Sequence, residues 1–272
     1  MSTWDAARKA GMRQVSAYRQ EEMIKAAREL LRAGDICRPP VDVELLARMQ
    51  GVREILLEPL NGPDAELSPV DDGYVIRVDA RSIPTRRRFS IAHEVAHTFF
   101  GHNHKSYRSQ AVTLPKGVAR GLGYRFEEML CDQAAAEMTM PRELFLEEAH
   151  GYRPSVDLVR RLAHIFQTSI QSTVIRYISL INPPAQVTIW RKRGTKLWGN
   201  WSRGPKVIDA EVISLHEPEG GVESLIAQAY MSNCPARAWQ IDGYQRVLVD
   251  LGTFGSDDNK YVLSILQSAR FG

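Results

Sequence analysis

Residues 90–102 read S-I-A-H-E-V-A-H-T-F-F-G-H, and no other stretch restricts the chain as much. On a helix, side chains four apart lie one above the other, so His93 and His97 project in parallel from one face. Ile91, Val95 and Phe99 recur at the same spacing on a second face. The segment therefore demands a helix that packs along its apolar side and keeps two imidazoles converging. Such a pair can grip a divalent cation at about 2.0–2.1 Å per nitrogen. Glu94 sits to the side of that point, where it can reach a bound water without ligating, as a general base does.

Two histidines do not complete a catalytic zinc site, which takes a third protein ligand and an open position. A metzincin spacing requires Gly at 100 and His at 103, where this chain has Phe100 and Asn103, and His102 and His104 miss the frame. Downstream, E-E-M-L-C-D-Q-A-A-A-E-M-T-M-P places Glu128 and Asp132 four apart on a second apolar helix. A carboxylate beside Met129, Leu130 and the alanines at 134–136 is costly unless a cation or a donor meets it. Glu128 is thus the expected third ligand, and Asp132 the acceptor for the second N–H of a ligand histidine. The competing carboxylate, Glu127, points about 100° away around the helix. The plainer alternative is a polar core network or a purely structural metal site.

The rest of the chain reads as α+β in two domains, which 272 residues accommodate. Helices are expected at 17–34, after Asp42, at 86–101, 125–139, 141–149, 155–166 and 169–181. Strand patterns at 52–60 and 73–78 predict a small antiparallel sheet just before the histidine helix. Asn182-Pro183-Pro184 breaks the last of these helices, giving a mostly helical domain over 1–182 and a second domain over 185–272. The second carries the strand-like runs V-T-I-W, K-L-W-G-N-W, A-E-V-I-S-L, R-V-L-V-D-L and Y-V-L-S-I-L with one helix near 222–231, a small α+β unit. No run approaches the roughly 18 apolar residues of a membrane span, and the first thirty residues lack a signal peptide's apolar centre. Three cysteines without C-x-x-C spacing fit a reducing compartment. A cytoplasmic protein with no membrane partner is expected.

The formal charge is only +3, so any nucleic-acid affinity must come from a local patch. W-R-K-R-G-T-K-L-W-G-N-W-S-R-G-P-K (190–206) holds six basic residues, no acidic ones and three of the five tryptophans. Trp190, Arg191, Lys192, Arg193, Lys196, Trp198 and Trp201 could track a phosphate backbone and stack unpaired bases, with single-stranded DNA the candidate partner; a solvated strand with core tryptophans is the alternative. Residues 155–177 read as helix, turn, helix, better suited to packing than to reading a duplex. Cys131 is most simply a core residue. Cys37 is the first candidate for an inhibitory thiol that occupies a metal's open position.

The strings R-R-R-F-S-I-A-H-E-V-A-H (86–97) and E-x-x-C-D-x-A-A-A-E-M-T-M-P (128–141), with P-P-V-D-V-E-L-L-A upstream, resemble the ImmA/IrrE family of bacterial zinc peptidases over residues 18–180. The resemblance implies a zincin-like, gluzincin-type fold, with His93, His97 and Glu128 as zinc ligands, Glu94 as base and Asp132 behind a ligand. It also implies a C-terminal sensor, GAF-like in some members, and a substrate that is a helix-turn-helix repressor, cut to release stress-response, mobile-element or antiphage genes. In that picture zinc polarises the scissile carbonyl, Glu94 moves the proton, and the strand at 73–79 pairs with the substrate. His102, Tyr107 and Tyr124 are unranked candidates to support the oxyanion. Asp132 stands where the family often has Asn, and the loop 103–124 is long and basic. The alternative from another class is a DNA-binding regulator with structural zinc that works through 155–177.

Overall fold

The computed structural model describes residues 19–100, 119–208, 210–216, 220–242, 245–256 and 259–269. They fall into two compact units, one of Met1–Glu147 with His164–Ser169, the other of Glu148–Ala163 with Ile170–Gly272. Among the described residues no helix is long and apolar enough to cross a membrane.

The first unit opens with α1 (19–33) and α2 (Val43–Met49). Asp42 caps α2 by accepting the Leu45 N–H at 2.9 Å, satisfying one of the helix's orphan donors. Three strands follow: β1 (Val52–Glu58), β2 (Ala65–Val70) and β3 (Gly73–Asp79). The hairpin between β2 and β3 turns at Asp71-Asp72 and re-enters the sheet at Gly73, where φ is +136° and a Cβ would lie 2.2 Å from the Gly51 carbonyl oxygen. Only glycine fits there. Then come α3 (Pro84–His97), a 3₁₀ turn (Thr98–Phe100), α4 (Ala119–Thr139) and α5 (Arg142–Ala149).

Two expectations about the sheet are corrected. It is mixed rather than antiparallel, in the order β1-β3-β2, with β1 parallel to β3 and β2 antiparallel to it. β2, whose pattern is interrupted by Pro69, went unread in the sequence; proline in a strand is tolerated at an edge, where no ladder N–H is missed. Consequently β3 is hydrogen-bonded on both sides, so residues 73–79 cannot pair with a substrate. The two edges belong to β1 and β2.

Beneath the sheet α3 packs along α4. Ala92, Ala96, Ala134 and Ala135 are all at most 1 % exposed, and their small side chains bring the two backbones close. Ile91, Val95, Leu130 and Met138 fill the remaining core together with Met23, Leu30 and Leu31 from α1 and Ile76 and Val78 from β3. Met129, expected inside, is exposed instead. Glu137 of α4 is buried and accepts the Arg28 Nε–H of α1 at 2.9 Å and the Arg142 N–H at 3.3 Å.

In the second unit six strands form one antiparallel sheet in the order β6-β5-β4-β9-β8-β7. They are β4 (Gln186–Arg193), β5 (Lys196–Arg203), β6 (Val212–Ser214), β7 (Ala236–Asp242), β8 (Gln245–Phe254) and β9 (Tyr261–Ala269). Between β6 and β7 lies α8 (Gly221–Ser232), whose Val222, Ile226 and Ala227 pack with Trp190, Leu197, Val247 and Val262 from the sheet. α6 (Val156–Phe166) and α7 (Ile170–Ile181) precede the sheet. The Val156 N–H at the start of α6 donates to buried Asp250 of β8 at 3.0 Å. Helix α7 stops at Ile181, as the Asn182-Pro183-Pro184 break predicts.

Replacing Arg28 with methionine leaves the Glu137 carboxylate buried without its cation. A loss of about 2 kcal/mol in the stability of the first unit is expected, read from urea denaturation followed by circular dichroism. Unchanged stability would show that the pair is energetically neutral.

Candidate metal centre

Helix α3 presents His93 and His97 with ring centroids 5.0 Å apart and planes at 69°. Across from them α4 supplies three groups at i, i+3 and i+4, a spacing that puts all of them on one helical side. Glu128 straddles the pair: Oε2 lies 3.3 Å from Nε2 of His93, and Oε1 lies 3.6 Å from Nε2 of His97. Asp132 Oδ1 stands 2.9 Å from Nδ1 of His93. Cys131 Sγ stands 3.5 Å from Nδ1 of His97. Each imidazole thus faces Glu128 with one nitrogen and a different α4 side chain with the other.

The donor set fits a divalent cation. With bonds of about 2.0–2.1 Å, ligand atoms around a tetrahedral ion stand about 3.3 Å apart, close to the 3.3 and 3.6 Å separations between the Glu128 oxygens and the two Nε2 atoms. Electrostatics agrees. Burial opposes charge on His93, yet hydrogen bonds to Asp132 and Glu128 and the nearby Glu94 charge override it and push its pKa up to about 9. Without a metal, a proton serves as the cation this cluster requires. Among the described residues, His93, His97 and Cys131 have ligand atoms within 4.8 Å of one another, but the sulfur approaches His97 at Nδ1, the ring edge turned away from Glu128.

Glu94 is buried beside this cluster, and its Oε2 accepts the Leu67 N–H of β2 at 2.9 Å. The carboxylate is therefore tied to an edge strand. Neither this contact nor the sulfur of Cys131 at His97 was anticipated from sequence. The place of Cys131 three residues after Glu128 was the available signal for the second; nothing local announces the first, because Leu67 contributes only its backbone.

Of the other candidates, His102 and Tyr107 lie outside the described residues, as does the side chain of Tyr124. Cys37 is exposed in the turn after α1. Trp190 is fully buried, and its indole N–H donates to Ser264 Oγ at 2.9 Å, so it offers no face to a base and leaves the nucleic-acid set. Across β4 and β5, Arg191 pairs with Trp198 and Arg193 with Lys196, which puts these four on one face of the sheet. Trp198 is exposed, and Arg191 lies over Tyr261 at 5.0 Å while donating to Gln171 at 2.8 Å. Lys192, also exposed, points to the other face, and Trp201 is half-buried with Arg203 over its ring at 5.6 Å.

A metal bound at His93 would have to displace its proton below about pH 9. Apparent zinc affinity of the metal-free chain should rise about tenfold per pH unit up to that value and flatten above it, measured by chelator competition. The stability sign is opposite: the folded-state pKa is above the ordinary 6.5, so His93 stabilises the metal-free fold fully below pH 6.5 and that contribution is lost as pH rises through about 9. Flat profiles in both experiments would overturn the proton-for-metal exchange.

A solved structure described as a Mycobacterium tuberculosis transcriptional regulator shares the fold at a TM-score of 0.60 and 14 % identity, over 91 % of this chain and 76 % of that one. No curated protein matches the chain. Residues 51–177 match the M78 peptidase model described as an IrrE N-terminal-like domain, a span that holds β1 to β3, both histidines, Glu94 and the Glu128 segment. This match bears out the resemblance, read from the motifs, to the ImmA/IrrE metallopeptidases.

Proposed function

We propose that this protein is a zinc-dependent, site-specific endopeptidase of zincin-like, gluzincin type, with the peptidase in residues 1–182 and a sensor-like, GAF-like regulatory domain in 185–272. The observation that carries the proposal is the Glu128 carboxylate straddling both Nε2 atoms with Glu94 alongside. Zinc held by His93, His97 and Glu128 would supply Lewis acidity toward a scissile carbonyl and the attacking water. Glu94 accepts the water's proton and passes it to the leaving amide nitrogen. Asp132 holds His93 in the tautomer that presents Nε2. The substrate's main chain is received at β2, the sheet edge that touches Glu94, rather than at β3.

The substrate class we assign is a helix-turn-helix repressor, cut in the cytoplasm to derepress stress- or phage-defence genes. The family-model match over 51–177 supports this, and a solved structure of similar fold described as a transcriptional regulator supports a regulatory setting. Constitutive cleavage would leave such genes permanently on, which calls for a gate. Single-stranded DNA is the assigned activator, held by Arg191, Arg193, Lys196 and Trp198 on one face of the β4–β5 hairpin, with Lys192 and Trp201 adjoining. Exposed Cys37 is the thiol assigned to a latent form. The regulator alternative needs a closed site with a fourth protein donor, and the nearest thiol, Cys131, meets His97 at Nδ1 instead.

Glu94→Gln should retain zinc and fold while losing cleavage by about 10²–10⁴-fold, assayed by co-expression with the neighbouring helix-turn-helix protein and mass spectrometry of its fragments. Retained cleavage rules out Glu94 as base. Asp132→Ala should weaken zinc binding about 10–100-fold, and Glu128→Ala should weaken it further. Single-stranded oligonucleotides should bind with marked salt dependence and stimulate cleavage, and replacing Arg191, Lys192 and Arg193 with alanine should flatten the salt slope at unchanged zinc content. Equal cleavage with and without oligonucleotide would remove the DNA gate.

A further inference from the structure

The two candidate histidine ligands are supported unequally. Behind His93 stands the Asp132 carboxylate at 2.9 Å; at Nδ1 of His97 stands the sulfur of Cys131 at 3.5 Å. That is within reach of the weak hydrogen bond a thiol sulfur can accept. Cys131 is fully buried on α4, with Leu130 and Ala134 beside it in the core. We infer that Cys131 is a positioning residue that fixes the ring and tautomer of His97 by accepting its Nδ1–H, and that it does not ligate the metal. The inference rests on the metallopeptidase proposal above.

Three features support it. With Nε2, the nitrogen on the Glu128 side, given to a bound cation, a neutral imidazole keeps its hydrogen on Nδ1, and the sulfur is the α4 group placed to receive it. The same ring cannot turn its Nδ1 edge to the metal without surrendering the Glu128 contact. Cys131 is also fully buried among the apolar neighbours of α4, which holds its sulfur opposite Nδ1. The two ligands thereby differ in donor strength, His93 being the more basic because an anion backs it.

The test compares full-length wild type, Cys131→Ala, Cys131→Ser and Leu130→Ala, the last a control that opens a cavity on the same helix. Zinc affinity is measured by chelator competition, the cobalt-substituted proteins by absorption, and the His97 Nδ1–H by nitrogen-15 NMR of the zinc form. Cys131→Ala is expected to weaken zinc binding about tenfold and to expose Nδ1–H to solvent exchange. Cys131→Ser should fall between it and wild type, and Leu130→Ala should lower Tm without changing affinity. Wild-type cobalt protein should show no thiolate-to-cobalt band. The inference is overturned by that band, by affinity and exchange in Cys131→Ala equal to wild type, or by an equal affinity loss in Leu130→Ala. If the alanine variant does not fold, an unprotected Nδ1–H in the wild type overturns it alone. Zinc uptake that His93→Ala abolishes and Cys131→Ala leaves unchanged defeats only this inference; a wild type that takes up no zinc defeats the metallopeptidase proposal as well.

Discussion

Close approach of α3 and α4 is the constraint on which the candidate centre depends. Ala92 and Ala96 on one helix, and Ala134 and Ala135 on the other, are all essentially inaccessible, and only at such short range can a glutamate on α4 reach both imidazoles on α3. A larger residue at any of these positions would wedge the helices apart by a substantial fraction of the roughly 3.5 Å gap that the Glu128 oxygens span. The apolar faces and the candidate metal-binding faces of the two helices are therefore a single packing arrangement. Burial of Ile91, Val95, Leu130 and Met138 supplies the driving force, and the polar cluster is carried along at the rim.

That cluster carries an electrostatic debt. Glu94, Glu127, Glu128 and Asp132 all act on the thiol of Cys131, and His93 is held protonated well above neutrality in the absence of a metal. Several anions gathered at the edge of an apolar core are destabilising unless a cation joins them. A proton and a divalent metal would be alternative answers to the same field. Glu94 is distinguished from the other carboxylates by its partner, the Leu67 N–H of β2. The Glu94 carboxylate and the sheet edge are thereby held in fixed relation.

In the second unit the same basic, tryptophan-rich stretch has two opposite fates. Trp190 is in the core against α8, with its indole N–H satisfied by Ser264, whereas Trp198 is exposed beside Arg191 and the Arg193–Lys196 pair. The alternation of strand side chains explains the division, aided by the register shift between Ile189 and Trp190. Both interpretations of the stretch, core tryptophans and a basic aromatic face, thus describe parts of one hairpin.

Helical periodicity is local, so the sequence alone determined what depends on it: the shared face of His93 and His97, the flanking position of Glu94, the four-residue spacing of Glu128 and Asp132, and the helix end at Asn182-Pro183-Pro184. Helix boundaries and most strands followed for the same reason. What a strand pairs with, and which of its faces is covered, depends on residues distant in the chain. β2 was missed because Pro69 interrupts its alternation, and with it one of the two sheet edges, the parallel β1–β3 pairing and the backbone N–H that holds Glu94. Likewise β7 became visible as a strand only through its pairing with β8, and Cys131 is as apolar in sequence as its neighbours until α3 brings His97 within 3.5 Å of its sulfur. Tertiary structure decided these features because each is a relation between two segments, and neither segment carries it alone.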